Sequence, residues 1–176
     1  MKWLKWILVG VAALLLLFAA VSLALPSQFR VERSVAISAP AEKVYPLIAS
    51  PAEWKRWSAW NRRDPKMEME YAGTATGVGA RWSWRSDSEG NGMMEFTEAV
   101  PGRRLAYRLS FPDIGMQSTG QLRLEPDGSG VRVSWSNEGD MGANPVYRWF
   151  GLFMDRLVGP DFEAGLNNLK RLAEAS

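Results

Sequence analysis

The hydrophobic and polar residues of this chain follow two patterns, a continuous apolar run first and short alternating segments after it. Residues 6–25, WILVGVAALLLLFAAVSLAL, contain no charged side chain. At a rise of about 1.5 Å per residue, about 20 helical residues cross the ~30 Å hydrocarbon core of a bilayer. Lys2 and Lys5 precede the run and Pro26 follows it. The pattern predicts one transmembrane helix, with residues 1–26 as a membrane anchor and residues 27–176 as a separate domain.

Two other interpretations of this apolar run stay open. A signal peptide also combines a basic start, an apolar run and small residues at the cleavage site, and Ser22-Leu23-Ala24 supplies such residues. The run is longer than the ~7–15 residues of a usual signal-peptide core, which favours a retained anchor. A core helix is the second alternative, but core helices are rarely apolar on every face.

The charges that flank the run predict its orientation. Lys2 and Lys5 lie before it, whereas Arg30 and Arg33 lie after it. Cytoplasmic loops carry an excess of basic residues, and the α-amino group adds to the charge on the N-terminal side. The resulting prediction is a single-pass membrane protein whose C-terminal domain is extracytoplasmic, with the cytoplasmic side as the alternative.

After residue 30 the pattern alternates with a period of two, which is typical of strands that bury one face. Val31, Val35 and Ile37 share a face of the first predicted strand, and Pro40 then marks the start of a helix. A second short helix is predicted to begin at Pro51. Turns rich in Gly, Pro and Asp separate six further predicted strands. These strands are residues 67–71, 80–85, 92–100, 103–111, 117–125 and 130–137.

The C-terminal region has helical periodicity. One predicted apolar stripe precedes Gly159-Pro160 and another follows it, and proline is expected to kink or restart the helix there. The order of elements predicts an α+β helix-grip fold, in which a curved antiparallel sheet wraps around a long C-terminal helix. The two stripes are Phe150, Phe153, Met154 and Leu157, then Phe162, Leu166, Leu169 and Leu172.

Three segments carry a resemblance to a known family. They are VAISAPAEKVY at 35–45, WKRWSAW at 54–60 and DFEAGLNNLK at 161–170. With the predicted order of elements, they resemble the START-like superfamily, also called SRPBCC or polyketide cyclase/dehydrase-like proteins, over about residues 30–174. The resemblance implies an apolar cavity between sheet and long helix that holds lipids, sterols, polyketides or other hydrophobic molecules. It implies no single chemistry, because members include carriers, cyclases and hydratases.

The charge balance of the chain gives no indication of a nucleic-acid partner. The chain has 21 basic and 19 acidic residues, and its first 25 residues contain two lysines and no acid. The domain is therefore formally neutral, with 19 residues of each sign. No basic cluster marks a phosphate-binding face, so nucleic-acid binding is not expected.

The chain has no His and no Cys. This excludes thiol nucleophiles, the Ser-His-Asp triad, imidazole bases and the usual zinc sites, so neither a metal nor a cofactor is predicted. A cyclase or hydratase would have to use a carboxylate with a raised pKa. The acids nearest to predicted strand ends or the long helix are Asp113, Glu138, Asp140 and Asp161, and helix starts, turn caps and solvated loops also account for them.

Nine tryptophans and several methionines supply candidate lining for a hydrophobic cavity. Alternation also places Tyr107 and Asn137 on inward faces as polar contacts. The alternative is that these aromatic side chains fill the core and leave no cavity. The predicted ligand-binding residues are Trp57, Trp60, Trp82, Trp84, Tyr107, Trp135, Asn137, Phe150, Phe153 and Met154.

Three functions are compatible with these features. The first is membrane-tethered binding of a hydrophobic small molecule or lipid in an internal cavity. The second is a cyclase-like enzyme that uses a pocket carboxylate, and the third is a structural or interaction module with a filled core. The absence of a catalytic motif, of His and of Cys favours the first.

Overall fold

The structure is a computed structural model that describes residues 2–175. Its secondary-structure elements occur in the predicted order, with one further short helix between the two predicted short helices and the second strand. The helices are α1 (Lys2–Ala24), α2 (Ala41–Ala49), α3 (Pro51–Trp57), α4 (Ala59–Arg63) and α5 (Pro145–Glu174). The strands are β1 (Gln28–Ile37), β2 (Glu68–Ala72), β3 (Arg81–Arg85), β4 (Gly92–Val100), β5 (Arg104–Phe111), β6 (Met116–Asp127) and β7 (Gly130–Asp140).

The seven strands form one antiparallel sheet in the order β1-β7-β6-β5-β4-β3-β2. Strands β2 to β7 are a meander, while α2, α3 and α4 carry the chain from β1 to the opposite edge. Helix α5 packs against β1, β7 and α2 to α4, and the apolar core lies between them. The chain therefore has the predicted α+β helix-grip fold.

Helix α5 corrects one prediction, because it continues through Gly159 and Pro160 without an interruption. Arg33 of β1 donates hydrogen bonds to Asp155 at 2.7 Å and to Glu163 at 2.7 Å, on both sides of the Gly-Pro step. A β-carbon at position 159 would overlap the Arg33 guanidinium. The glycine admits Arg33 and the two ion pairs bridge the turn that lacks the proline N–H, so tertiary contacts override the local signal.

Helix α1 lies largely outside the core, and within it only Ser22 is fully buried. It is the one helix among residues 2–175 that is long and apolar enough to cross a membrane. This length and composition fit a membrane span or a signal sequence.

Candidate functional site

A cavity lies between the concave face of the sheet and helices α3, α4 and α5. Its volume, measured as the space open to the centre of a water-sized sphere, is about 180 Å³. Every strand except β1 contributes to its wall. The lining residues are Trp54, Ser58, Trp60, Asn61, Met67, Met69, Trp82, Trp84, Glu89, Met94, Tyr107, Leu109, Phe111, Met116, Trp135, Asn137, Met154, Val158 and Phe162.

Aromatic rings form most of one end of the cavity. Trp54 of α3 donates from Nε1 to the Ile48 carbonyl at 2.7 Å, which fixes its ring beside Trp82 and Tyr107. The ring of Trp135 stacks on Phe162 of α5, with 4.0 Å between centroids and an interplanar angle of 9°. These contacts hold the rings in place, so this wall is preformed.

Two lining aromatics lie over glycines on the neighbouring strand. Trp84 is paired with Gly92 between β3 and β4, and Tyr107 is paired with Gly120 between β5 and β6. A β-carbon at either glycine would overlap the facing ring. Because the glycines have no side chain, both rings can pack flat against the sheet. The space above the rings stays part of the cavity.

Polar groups of the cavity come from adjacent strands. Tyr107, Gly120 and Asn137 form one row across β5, β6 and β7. The Tyr107 hydroxyl accepts a hydrogen bond from Trp135 Nε1 at 2.9 Å and retains its own hydrogen to donate. Burial raises the pKa of Tyr107 above its usual value, so the phenol is neutral at physiological pH.

The side chain of Asn137 is buried, and its Oδ1 has no hydrogen-bond partner among the residues that the structure describes. A buried acceptor without a partner costs free energy, of the order of 1–3 kcal/mol. A bound molecule with an O–H or N–H group would remove this cost. Tyr107 and Asn137 are therefore the polar side chains of this row, and both line the same apolar space.

One edge of the cavity is held by an ion cluster. Arg63 of α4 binds Glu89, with Nε to Oε1 at 2.6 Å, and Asp161 of α5, with Nη1 to Oδ1 at 2.8 Å. Glu89 also lines the cavity. Arg63 thus links α4, the β3–β4 loop and α5 at the cavity edge.

The structure brings seven of the ten predicted site residues to this cavity, all of them on strands, α4 or the middle of α5. Trp57 is instead fully buried in the core and donates from Nε1 to the Leu47 carbonyl at 2.9 Å. The side chains of Phe150 and Phe153 are exposed. The seven are Trp60, Trp82, Trp84, Tyr107, Trp135, Asn137 and Met154.

The rotation of α5 about its axis explains the position of Phe153, whereas Phe150 continues the inward stripe one turn beyond the cavity lining. The inward stripe runs through Met154, Val158 and Phe162 at intervals of four residues. Phe153 precedes Met154 by one residue, which is about 100° around a helix, so its side chain points away from the sheet. Helical spacing alone does not show which of two adjacent apolar stripes faces the sheet.

The four acids considered from sequence lie outside the cavity lining. Asp113 accepts a hydrogen bond from Asn91, Glu138 pairs with Arg30, Asp140 accepts from the Gly142 N–H and Asp161 pairs with Arg63. Glu89 is the acid in the lining, and it is held by Arg63. Each of the five carboxylates is thus engaged by a hydrogen-bond donor or a cation, and none is left free to face the cavity.

Several lining residues lie outside the sequence-based site. Trp54 and Phe162 belong to segments that carried the family resemblance, and Met94 and Met116 are among the methionines considered as candidate lining. Periodicity gives no signal for Ser58 and Asn61, which enter through the short helix α4 and the residue before it. Among residues 2–175, no group of three or more His, Cys, Asp or Glu side chains is arranged to hold a metal ion.

A curved antiparallel sheet, a long helix across it and an aromatic cavity between them define a helix-grip fold. Residues 28–174 match the family model described as "Polyketide cyclase / dehydrase and lipid transport". The match covers most of the chain, and the protein belongs to this family. The family and the fold support hydrophobic ligand binding or a cyclase role.

Solved structures share the fold at low sequence identity. A protein from Chromobacterium violaceum has a TM-score of 0.58 at 22% identity, covering 84% of this chain and 97% of its own. The Aha1 dimer from Colwellia psychrerythraea has a TM-score of 0.58 at 18% identity, covering 82% and 96%.

The di-domain ARO/CYC StfQ from the steffimycin biosynthetic pathway has a TM-score of 0.62 at 12% identity, covering 84% of this chain and 51% of its own. No curated protein matches this chain significantly. At these identities, the likeness to the solved structures shows the fold alone.

Proposed function

We propose that this protein binds a small apolar molecule with one hydrogen-bond donor in the cavity, while α1 tethers it to a membrane. The observation that carries the proposal is the row of Tyr107, Gly120 and Asn137 within aromatic and thioether walls. Apolar burial contributes about 25 cal/mol per Å² removed from water, before the cost of association. The polar row would orient the ligand.

The size of the cavity limits the ligand. An apolar cavity of about 150 Å³ is large enough to hold benzene. A cavity of about 180 Å³ therefore suits a one- or two-ring compound, or one segment of a longer chain. It also exceeds several times the ~10–15 Å³ that one water molecule needs on the same measure, which argues against a purely structural, filled core.

The tether is inferred from α1. Its side chains are exposed along almost the whole helix, although nearly all of them are apolar. A helix of this kind is stable when lipid surrounds it. With two lysines at its N-terminal end, the positive-inside rule favours an extracytoplasmic domain.

A cyclase role is the second candidate, and it rests on the family description and on the shared fold of the ARO/CYC domain. The lining acid Glu89 is paired with Arg63, so catalysis would depend on the shape of the cavity and on Tyr107 as a donor. Loss of turnover but not of binding in Tyr107→Phe would favour this role.

Ligand binding can be tested by calorimetry on the full chain in lipid nanodiscs, with empty nanodiscs to correct for partitioning. The probes are 2-naphthol, which has a hydroxyl donor, and 2-methoxynaphthalene, which lacks it. We expect 2-naphthol to bind about threefold to tenfold more tightly, as one net hydrogen bond of ~0.5–1.5 kcal/mol implies.

Asn137→Leu should abolish the preference for 2-naphthol and retain apolar binding. The matched control is Asn167→Leu, which changes an exposed asparagine on α5. Equal affinities of the two probes for the wild type would contradict the polar-row assignment. Failure of both probes and of co-purified lipids to bind would contradict ligand binding itself.

A further inference from the structure

Helix α5 carries a second apolar stripe on its exposed side. Two charged residues in this half of the helix, Arg148 and Asp155, project to the other side at about 100° per residue, and Arg156 flanks the stripe beside Phe153. The stripe recurs at i, i+4, i+7 and i+11, as expected for one helix face. Its members are Val146, Phe150, Phe153 and Leu157, and they are between 47% and 58% exposed.

The beginning of α5 is attached to the end of α1. The ring of Trp149 stacks on Phe18 with 5.9 Å between centroids and an interplanar angle of 8°. Trp149 Nε1 also donates to Ser22 Oγ at 2.8 Å. Phe18 lies seven residues before Leu25, about 10 Å along a helix, so Trp149 lies level with the last two turns of the apolar run.

Arg148 strengthens this attachment. Its Nη1 donates to the carbonyls of Leu23 at 2.6 Å and Leu25 at 3.1 Å, and its Nε donates to the Gly142 carbonyl at 3.0 Å. The carbonyls at the end of a helix lack partners within it. Arg148 satisfies two such groups of the chain leaving α1 and holds α5 close to them.

We infer that Val146, Phe150, Phe153 and Leu157 insert into the interfacial layer of the bilayer that α1 spans. This inference rests on the tether proposed above. If α1 crosses the membrane, Trp149 and Arg148 lie at the membrane–water interface, where such side chains are favoured. The exposed stripe starts at the same level and continues the apolar surface of α1, so the bilayer is the partner that its position indicates.

This placement also has a consequence for the cavity. Met154 and Val158 line the cavity, and each follows a member of the stripe by one residue, Phe153 and Leu157. One helix would therefore have the bilayer on one side and the cavity on the other.

The absence of cysteine makes a direct test possible, because a single introduced cysteine can carry the fluorophore NBD. The full-length variants Phe153→Cys, Leu14→Cys and Ser129→Cys are labelled and reconstituted in phosphatidylcholine–phosphatidylglycerol vesicles. Ser129 is in the β6–β7 turn, at the opposite end of β7 from the strand end beside α1. Quenching by doxyl-labelled lipid is then compared with quenching by aqueous iodide.

We expect lipid quenching at positions 14 and 153 to be several times stronger than at 129, which iodide alone should reach. Lipid quenching at 14 with only iodide quenching at 153 would overturn this inference and leave the tether intact. Only iodide quenching at both positions would overturn the tether and this inference together. Ligand binding in the cavity is measured separately with 2-naphthol.

A second copy of the chain is the rival occupant of the stripe. If a second copy covers the stripe, position 153 will be protected from both quenchers, and its self-quenching will disappear on dilution with unlabelled protein. This result would overturn the inference. Leu157→Cys provides a second reporter on the same face. Circular dichroism of each variant establishes that it is folded.

Discussion

Tyr107 lies directly over Gly120 on the neighbouring strand, in the space that a β-carbon at position 120 would need. In this position its hydroxyl accepts the hydrogen bond from Trp135 and lines the cavity. The glycine thus determines the height of the ring above the sheet, and the ring determines where the hydroxyl is presented.

Gly120→Ala should therefore disturb the cavity and lower stability. The added methyl would push Tyr107 from its rotamer and from Trp135, at a cost of about 1–3 kcal/mol, as for other overpacked cores. Urea denaturation of the two proteins measures the difference. Thr119→Ala, on the exposed face of the same strand, should stay within about 0.5 kcal/mol of the wild type. Equal stability of Gly120→Ala and the wild type would contradict the close packing.

Tyr107 should make the protein sensitive to alkaline pH. Burial raises the pKa of Tyr107, so above its unfolded value of about 10 the unfolded chain ionises first. The contribution of Tyr107 is therefore fully present below pH 10 and is lost as pH rises towards the folded pKa, with a slope of at most about 1.4 kcal/mol per pH unit.

Tyr107→Phe should be less stable at neutral pH, because Trp135 Nε1 loses its acceptor, but should lose less stability between about pH 10 and 12. Urea titrations at each pH measure both effects. Tyr147→Phe, on the exposed side of α5, is the control for loss of a phenol. A slope for Tyr107→Phe that equals the wild-type slope would contradict this assignment.

The ion pairs from Arg33 to α5 should make the stability of the protein depend on pH in the acid range. Hydrogen bonding to Arg33 lowers the pKa of Asp155 below its ordinary 3.8. The stabilisation is thus complete above about pH 4 and is lost as pH falls through the lower folded pKa. Asp155→Asn should lower the urea midpoint at neutral pH and make its decline at acid pH shallower.

The control for Asp155→Asn is Asp87→Asn, in the exposed β3–β4 loop. An Asp155→Asn midpoint equal to the wild-type midpoint at neutral pH would show that the ion pairs from Arg33 do not stabilise the uninterrupted helix.

Arg63 should slow the exchange of a bound molecule, because it links α4, the β3–β4 loop and α5 at the cavity edge. Arg63→Gln removes both ion pairs and is expected to raise the dissociation rate of 2-naphthol several-fold in stopped-flow measurements. Arg30→Gln is the control, because Arg30 pairs with Glu32 and Glu138 on the exposed surface. Equal rates in all three proteins would contradict a gating role for Arg63.

The period-two pattern was enough to predict most of the sheet and its share of the site. Trp82, Trp84, Tyr107, Trp135 and Asn137 were predicted to face inward because alternate residues of a strand share a face. All five line the cavity. Strands β1, β6 and β7 are longer than predicted, since pairing with neighbours extends them into segments without clear alternation.

The helical residues of the site were predicted less completely than the strand residues. Trp57 is buried in the core, apart from the cavity, and the side chains of Phe150 and Phe153 are exposed, whereas the prediction placed them in the cavity. The periodicity of α5 contains two apolar stripes, and only packing against the sheet selects one of them. Likewise, Arg33 comes from a strand more than 100 residues away, so the continuity of α5 had no local signal.

Local periodicity and composition therefore determine the elements, their order, the long apolar segment, the neutral domain and the exclusion of His and Cys chemistry. These depend on which residues are near one another in sequence. Tertiary structure alone decides the row of Tyr107, Gly120 and Asn137, the orphaned oxygen of Asn137 and the attachment of Trp149 to α1. These depend on strand register and helix rotation, which long-range packing determines.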